Sequence, residues 1–313
     1  MLITQNLIIF IISVIALVFS ADMVLKSISN YARKIGITEF LVGFVIVSVG
    51  TSLPELTTAI MGSTSHLSQI VLGDVIGANI IDITLVLGLM AILAKKIRIS
   101  SNILGKRIIM TMTIVTIPLV LSLDGKLSRF DGVIMLLAYC FYIFDLFLKE
   151  RDKELIKLKK NVPLGIIYKD MLMFIVFLPI LLVSAYFVVH YAKLLAKGFG
   201  LDDYIIGLVL VALGTTLPEL TIELRSIRKG MAEIGVGDIV GSVIVNSSLV
   251  LGIASILNPI AINLHQFATS SAFMITIVFI GLIFLKEKKI TWKEGIALLL
   301  LYTTFLLSQV ILV

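Results

Sequence analysis

Six residues occur twice in the chain, and in both places they could bind a cation. Residues 50–55 read Gly-Thr-Ser-Leu-Pro-Glu, and 214–219 read Gly-Thr-Thr-Leu-Pro-Glu, 164 positions later. Each copy combines a carboxylate, two hydroxyls and a helix-breaking proline. Because Pro54 has no N–H, the carbonyl of Gly50 loses its helical donor, and Pro218 has the same effect in the second copy. Carbonyls, hydroxyls and a carboxylate together form a ligand set for a hard cation.

The surrounding sequence predicts that both copies are embedded in a membrane. Apolar residues make up 59% of the chain and charged residues 15%, and the mean hydropathy of +1.11 excludes a soluble globular domain of this length. An ionisable group inside a bilayer is costly unless it is paired, hydrated or bound to a cation. Carbonyls without donors are tolerated there only where protein buries them or they line a wet cavity. We therefore interpret both copies first as a functional site.

A second polar element follows each copy at the same distance. Residues 73–82 (Gly-Asp-Val-Ile-Gly-Ala-Asn-Ile-Ile-Asp) correspond to 237–246 (Gly-Asp-Ile-Val-Gly-Ser-Val-Ile-Val-Asn). Residues four apart on a helix share a face, which gives two sets of three: Asp74, Ala78 and Asp82, and Asp238, Ser242 and Asn246. The Gly-x-x-x-Gly spacing lets a neighbouring helix approach closely, so each polar face should point at Glu55 and Glu219. The alternative is that these elements only pack helices together.

The hydrophobic pattern predicts an all-α polytopic membrane protein. About 20 apolar residues cross a bilayer, and such runs lie near 5–28, 38–64, 70–94, 102–122, 130–148, 168–194, 203–226, 234–257, 266–285 and 292–312. The polar stretch 149–160 separates five predicted helices from five. We therefore expect a first five-helix repeat at 1–148, a cytoplasmic linker at 149–167 and a second repeat at 168–313.

Lys and Arg are unevenly distributed over the loops of this map. Of the 26, 22 lie in loops on one side, and the other side holds only Lys126, Arg129, Lys193 and Lys197. By the positive-inside rule the rich side is cytoplasmic, which predicts a multi-pass protein of the cell membrane with both termini extracellular. The net charge of +6 then reflects these loops, with the lipid bilayer and not nucleic acid as the partner.

The two halves are copies of each other. Residues 36–93 and 200–257, aligned without a gap, are identical at 22 of 58 positions. Since each half holds five predicted spans, an odd number, the second copy should enter the membrane from the opposite side. Inverted repeats of this kind are typical of secondary transporters, whose binding site lies near the midplane where broken helices meet. The fold expected is ten transmembrane helices in two inverted repeats, with helices 2 and 7 broken.

These elements resemble the sodium/calcium exchanger (cation/calcium antiporter) family, in its prokaryotic form. The resemblance covers the whole chain, and its signature segments lie at about 43–88 and 207–252. Carried over by position, it implies metal ligands from Ser48 (carbonyl), Thr51, Ser52, Glu55, Ala78, Asp82, Ala212 (carbonyl), Thr215, Thr216, Glu219, Ser242 and Asn246. The two carbonyls come from the resemblance alone.

The chain departs from the family pattern at three kinds of position. Ala78 replaces a serine whose hydroxyl helps to bind sodium, whereas its counterpart Ser242 keeps the hydroxyl. The Asp and Asn at 82 and 246 are exchanged between the halves. Asp74 and its equivalent in the second half stand where asparagine is more usual, and the sequence assigns them no role.

The resemblance implies a secondary antiporter, not an enzyme, that exports Ca²⁺ in exchange for Na⁺ by alternating access. Glu55 and Glu219 would bridge a central cation, with Asp82 and Asn246 completing the ring. We expect no cofactor, and a single chain should suffice for transport. Because three close carboxylates cannot all ionise without cations, the empty site should keep at least one proton.

Three alternatives remain open at this point. Ca²⁺/H⁺ exchange is favoured by the additional acids and by Ala78, although that branch's Gly-Asn-x-x-Glu signature is missing. An intramembrane aspartyl protease is suggested by Gly-x-Gly-Asp at 235–238, without its partner Tyr-Asp motif. An ion channel is compatible with deep broken helices, but inverted symmetry around one acidic cluster favours alternating access.

Overall fold

The computed structural model describes residues 2–35, 39–64, 68–99, 103–151, 164–195, 206–287 and 289–312. In the first half the helices are α1 (Leu2–Ile35), α2 (Glu39–Val42, the π-helical turn Gly43–Val47 and Ser48–Thr51), α3 (Leu53–Thr64), α4 (Ser68–Ile81, the π-helical turn Asp82–Val86 and Leu87–Ala94), α5 (Ile103–Leu121, then the 3-10 turn Ser122–Asp124) and α6 (Arg129–Arg151).

The second half repeats this series. Its helices are α7 (Leu164–Leu195), α8 (the π-helical turn Ile206–Val211 and Ala212–Thr215), α9 (Leu217–Arg228), α10 (Ala232–Ile244, the π-helical turn Val245–Val250 and Leu251–Leu257), α11 (Leu264–Lys286) and α12 (Trp292–Leu312). The predicted helical segments are helical wherever they are described, apart from the turns at Ser52, Ser122 and Thr216. Most of the predicted linker, 152–163, lies outside the described residues.

Four of these helices are long and apolar enough to cross a membrane by length and composition. They contain the spans Ile11–Tyr31, Gln69–Ala94, Ala232–Leu257 and Phe267–Lys286, and the bent pair α2–α3 would make a fifth. Helices α4 and α10 are the most enclosed, since 83% of the residues in each of their apolar windows are buried, against 44% in that of α11. The two helices that carry the second polar element therefore lie at the centre of the bundle.

The helices of the two halves pack against each other in exchanged pairs. Helix α2 packs on α10, and its counterpart α8 packs on α4; α1 packs along α7. The last part of α4 contacts α12, and the last part of α10 contacts α6. Each contact in one half therefore has an equivalent in the other.

Two glycines allow the central pairs to come this close. A Cβ at Gly77 in α4 would lie 2.0 Å from the carbonyl oxygen of Leu208 in α8. A Cβ at Gly241 in α10 would lie 2.4 Å from the carbonyl oxygen of Phe44 in α2. Both contacts involve positions related by the repeat. The close approach predicted from the Gly-x-x-x-Gly spacing is present at both.

Four short strands, which the all-α prediction missed, join the helix ends in two antiparallel pairs. The strands are β1 (Lys96–Arg98), β2 (Lys126–Leu127), β3 (Ile260–Ala261) and β4 (Lys289–Thr291). Ile97 of β1 pairs with Ile290 of β4, and Lys126 of β2 pairs with Ala261 of β3. The repeat shift of 164 positions converts the first pair into the second. The β2–β3 sheet follows the end of α10, whereas β1 lies beside its start, so the two sheets occupy opposite ends of this helix.

Candidate cation-binding site

Each broken helix turns at a single residue. Ser52 separates α2 from α3 with φ −78° and ψ 8°, and Thr216 separates α8 from α9 with φ −79° and ψ 3°. Their N–H groups donate to the carbonyls of Ser48 and Ala212, both at 3.0 Å. The axes of α2 and α3 meet at 43°. The break follows from the proline two residues further on, which supplies no N–H to continue the helix.

The carbonyl oxygens next to the breaks accept more hydrogen bonds than the sequence predicted. Gly50 and Gly214 lose the donor four residues on, as predicted, but the N–H groups of Ser52 and Thr216 also turn towards their oxygens. The carbonyl of Ala212 accepts a further hydrogen bond from the hydroxyl of Thr216 at 2.8 Å, and the hydroxyl oxygen of Thr215 lies 3.2 Å from it. To bind an ion through this carbonyl, these hydroxyls would have to rotate away.

The carboxylates of Glu55 and Glu219 lie in the first turns of α3 and α9, immediately after the breaks. Both side chains are fully buried, as is Asp82 in the π-helical turn of α4. Among the described residues, none of these six carboxylate oxygens has a partner in a well-formed hydrogen bond, although the hydroxyl of Thr215 lies close enough to Glu55 to interact with it. Buried carboxylates without partners are strongly unfavourable unless a cation or a proton binds them. The site is therefore a set of acceptors that lacks a positive charge.

These acids lie within electrostatic range of one another. The charge of Asp82 interacts with that of Glu55, and the charge of Glu219 interacts with those of Glu55 and Asp82. Within the described part of the chain, however, no group of three or more His, Cys, Asp or Glu side chains is arranged so that it could hold a metal ion by itself. A bound ion would therefore need hydroxyl, amide and backbone oxygens between the carboxylates. The predicted contact of all three acids within a few ångströms stays a prediction.

Two threonines bind the aspartates to which the sequence assigned no role. The hydroxyl of Thr51 donates to Asp238 at 3.1 Å, and the hydroxyl of Thr215 donates to Asp74 at 3.0 Å. Each bond joins the broken helix of one half to the central helix of the other, and the two bonds are equivalent under the repeat. We call these two bonds the threonine–aspartate clasps. The Thr215 hydroxyl also lies close enough to Glu55 to interact with it.

The remaining polar members of the site differ between the halves. Ser242 donates weakly to Asp238 at 3.4 Å, whereas its counterpart Ala78 offers only a methyl group. In the described structure the amide oxygen and nitrogen of Asn246 and the hydroxyl of Ser52 have no hydrogen-bond partner. These oxygens could bind a hard cation. All twelve residues implied by the sequence are buried: Ser48, Thr51, Ser52, Glu55, Ala78, Asp82, Ala212, Thr215, Thr216, Glu219, Ser242 and Asn246.

Comparison with known proteins now gives the family. The sequence model of the sodium/calcium exchanger protein family matches residues 5–148 and 169–311, nearly the whole chain. The chain belongs to the sodium/calcium exchanger family. It is thus a membrane transporter of the exchanger type and not an enzyme, which confirms the resemblance that the paired motifs indicated.

Individual relatives agree with this assignment. The sodium/calcium exchanger MaX1 of Methanosarcina acetivorans is 28% identical, with 97% of this chain and 98% of the relative aligned. The inner membrane protein YrbG of Escherichia coli is 30% identical over 80% of this chain and 79% of its own. A structure of the sodium-calcium exchanger NCX_Mj, soaked with Na⁺ and Sr²⁺, superposes with a TM-score of 0.84 at 28% identity, covering 98% of this chain and 99% of that one.

Within this exchanger fold, the Gly-x-Gly-Asp segment at 235–238 has a role unrelated to proteolysis. It lies inside α10, and its aspartate, Asp238, accepts hydrogen bonds from Thr51 and Ser242. The family assignment therefore excludes the aspartyl-protease alternative.

Glu223 is a further buried acid, to which the sequence analysis assigned no role. It is fully buried in α9 and lies within hydrogen-bonding reach of Asp238, so the two acids can share a proton. Its spacing of four residues from Glu219 places both glutamates on one face of the helix. Arg225, two residues further on, turns away from Glu223 and pairs with Asp22 of α1 at 3.5 Å.

Proposed function

We propose that this exchanger exports Ca²⁺ across the cell membrane in exchange for Na⁺ by alternating access. The observation that carries the proposal is the pair of buried, unpartnered carboxylates, Glu55 and Glu219, at equivalent positions of the two halves. Two glutamates supply two negative charges, which match one Ca²⁺ or two Na⁺. Such a site is costly to move across a bilayer while empty, and it becomes neutral when filled. Ion exchange follows from that difference.

The proposed site uses all twelve predicted residues. Glu55 and Glu219 bridge the central cation, with Asp82 and Asn246 beside it. The hydroxyls of Thr51, Ser52, Thr215, Thr216 and Ser242, with the carbonyls of Ser48 and Ala212, form flanking sodium sites. Calcium takes 6–8 oxygens, and this set offers enough of them without requiring three carboxylates in direct contact.

The proposed topology has ten transmembrane helices in two inverted five-helix halves, 1–148 and 168–313, joined by a cytoplasmic linker at 149–167. Both termini face outwards. The exchanged packing of α2 with α10 and of α8 with α4 supports this arrangement, as do the equivalent sheets at opposite ends of α10. A single chain contains both halves of the site, so transport needs no second copy.

The decisive experiment is calcium transport by the purified chain in liposomes. We expect Ca²⁺ uptake to be driven by an outward Na⁺ gradient and to stop when the gradient is removed. Liposomes without protein measure the leak, and a potassium gradient of equal size controls for osmotic effects. Calcium uptake that ignores the Na⁺ gradient would contradict sodium coupling.

A second candidate of the same class, Ca²⁺/H⁺ exchange, is favoured by one specific observation. The second half carries an additional buried acid, Glu223, next to Asp238, while the first half lacks the sodium-binding hydroxyl at Ala78. The same liposomes with an imposed pH gradient and no sodium test this directly. Calcium uptake driven by protons alone would establish the second candidate.

A further inference from the structure

A cavity of about 560 Å³ opens at the end of the bundle that carries the β1–β4 sheet. Three basic side chains line it, Lys96 and Arg98 from β1 and Arg228 from the end of α9. Its remaining wall is apolar and includes Leu93 and Ile227. We propose that this cavity binds the headgroup of an anionic phospholipid, with the phosphate held by the three basic residues and the lipid's apolar part against the apolar wall.

The basic side chains around the cavity have no acidic partner among the described residues. Lys96, Arg98 and Arg228 form no ion pair there. On the same turn, by contrast, Lys229 pairs with Asp22 at 3.2 Å. Arg98 and Lys289 lie close enough to Lys96 to lower the pKa of its ammonium group. Charges of one sign are thus concentrated here, and a phosphate would relieve their repulsion.

Neighbouring residues place the cavity at headgroup depth. The apolar span Gln69–Ala94 ends directly at its edge. Trp292 is half exposed and begins α12 at the same end. Its backbone N–H donates to the carbonyl of Lys95, next to β1. Tryptophan is enriched at the interface between the hydrocarbon and the headgroups. A phosphate drawn from the membrane therefore fits this depth better than a soluble anion does.

The positive-inside rule alone does not explain the arrangement. That rule needs only a surplus of Lys and Arg in the loops, whereas here the three side chains converge on one cavity from both halves of the chain. Basic pockets between helices at this level recognise anionic headgroups. The opposite sheet, β2–β3, provides a control lysine at the other end of the bundle, Lys126, whose backbone N–H donates to the carboxylate of Asp124 at 3.2 Å.

The test uses the purified full-length chain in detergent and compares two lipids with identical acyl chains, phosphatidylglycerol and phosphatidylcholine. We expect native mass spectrometry to show retained phosphatidylglycerol, and a higher melting temperature with that lipid. In the triple variant Lys96→Gln, Arg98→Gln, Arg228→Gln the affinity for phosphatidylglycerol should fall roughly tenfold or more. Each Lys or Arg near an anionic lipid contributes about 1 kcal/mol to binding. Lys126→Gln should bind like the unmodified chain.

Three outcomes would overturn the proposal. One is equal retention of both lipids, and another is unchanged phosphatidylglycerol binding in the triple variant. The third is equal stabilisation by millimolar glycerol phosphate, which would assign the cavity to a soluble anion. If the triple variant does not fold, the single variant Arg228→Gln, on the exposed end of α9, provides the same comparison. Lipid retention is measured without transport, so failure here leaves the proposed ion exchange untouched.

Discussion

The two halves of this exchanger share a scaffold but differ in their charges. The threonine–aspartate clasps match within 0.1 Å, the breaks at Ser52 and Thr216 have nearly the same dihedral angles, and the glycine contacts are equivalent. The side chains that this shared frame of backbone contacts holds differ between the halves. The first half has Ala59 where the second has Glu223, and it also has an alanine in place of a serine one turn before its aspartate.

This difference separates two requirements. Alternating access between inverted halves needs a frame that can exchange its roles, so its backbone contacts must be equivalent. The single central site that we propose has no such need, because each ion would contact both halves at once. The positions that hold the frame together should therefore respond alike in both halves, whereas those that bind ions should respond differently.

The largest expected effect comes from the two glutamates that follow the breaks at equivalent positions of the two halves. We expect Glu55→Gln and Glu219→Gln each to abolish calcium transport, because either change leaves one carboxylate against a divalent ion. Both variants should stay folded in detergent, since glutamine has the size of glutamate and its amide oxygen can still accept from the hydroxyl of Thr215 beside Glu55. Calcium flux in liposomes and size-exclusion profiles check this. Near-normal flux in either variant would remove that residue from the central site.

The equivalence of the frame can be tested with the two close glycines. Gly77→Ala and Gly241→Ala would each push a methyl group against a backbone carbonyl, at 2.0 Å and 2.4 Å. Overpacking of this kind costs about 1–3 kcal/mol, and we expect similar falls in thermal stability for both variants. Stability losses confined to one glycine would show that the frame is not symmetric.

Much of this architecture was predictable, for a physical reason. Helix positions and breaks follow from apolar runs and from proline's missing N–H, which are local properties. The repeat was visible because 11 of its 22 identities are glycines, a proline and polar residues, which unrelated apolar segments would not share. The threonine–aspartate clasps were not predicted, because they join residues 187 and 141 positions apart. The sequence analysis placed Asp74 and Asp238 on the polar faces of their helices, but it did not indicate which residues they contact.

The missed features share the same cause. Strands of two or three residues have too few positions for an alternating pattern, and β1 pairs with a strand almost two hundred residues away. The sequence assigned no role to Glu223, because Arg225 and Arg228 beside it are typical of a helix end in solvent, whereas ion pairing with Asp22 draws Arg225 away from the acid. The twelve proposed ligands are buried as expected, but their roles in ion binding stay predictions.

The exchange of aspartate and asparagine between the halves gives a sharper test. Two glutamates already balance one Ca²⁺, so a third ionised carboxylate would be left over, and we expect Asp82 to hold a proton. Asp82→Asn should then keep most calcium transport and weaken its inhibition by acid. The double variant Asp82→Asn, Asn246→Asp, which moves the acid to the other half, should recover the acid sensitivity. Calcium titrations across pH decide the matter, and a severe loss of calcium affinity at neutral pH in Asp82→Asn would show that Asp82 is an ionised ligand.

The smallest expected effect comes from the hydroxyl that only one half possesses. In the second half, Ser242 lies one turn from Asp238 and donates to it, and the equivalent neighbour of Ala78 is Asp74. A serine at position 78 would meet a similar environment, with its oxygen turned towards the site. A hydrogen bond or ligand of this kind is worth about 1 kcal/mol, so Ala78→Ser should lower the Na⁺ concentration for half-maximal calcium release by roughly threefold to fivefold. The reciprocal change, Ser242→Ala, removes the same group from the other half and should raise that concentration by a similar factor. Measured together in liposomes, the two variants distinguish a symmetric pair of sodium sites from a single one. If only Ser242→Ala has an effect, sodium binds through the second half alone, and the first half has lost its site rather than only one ligand.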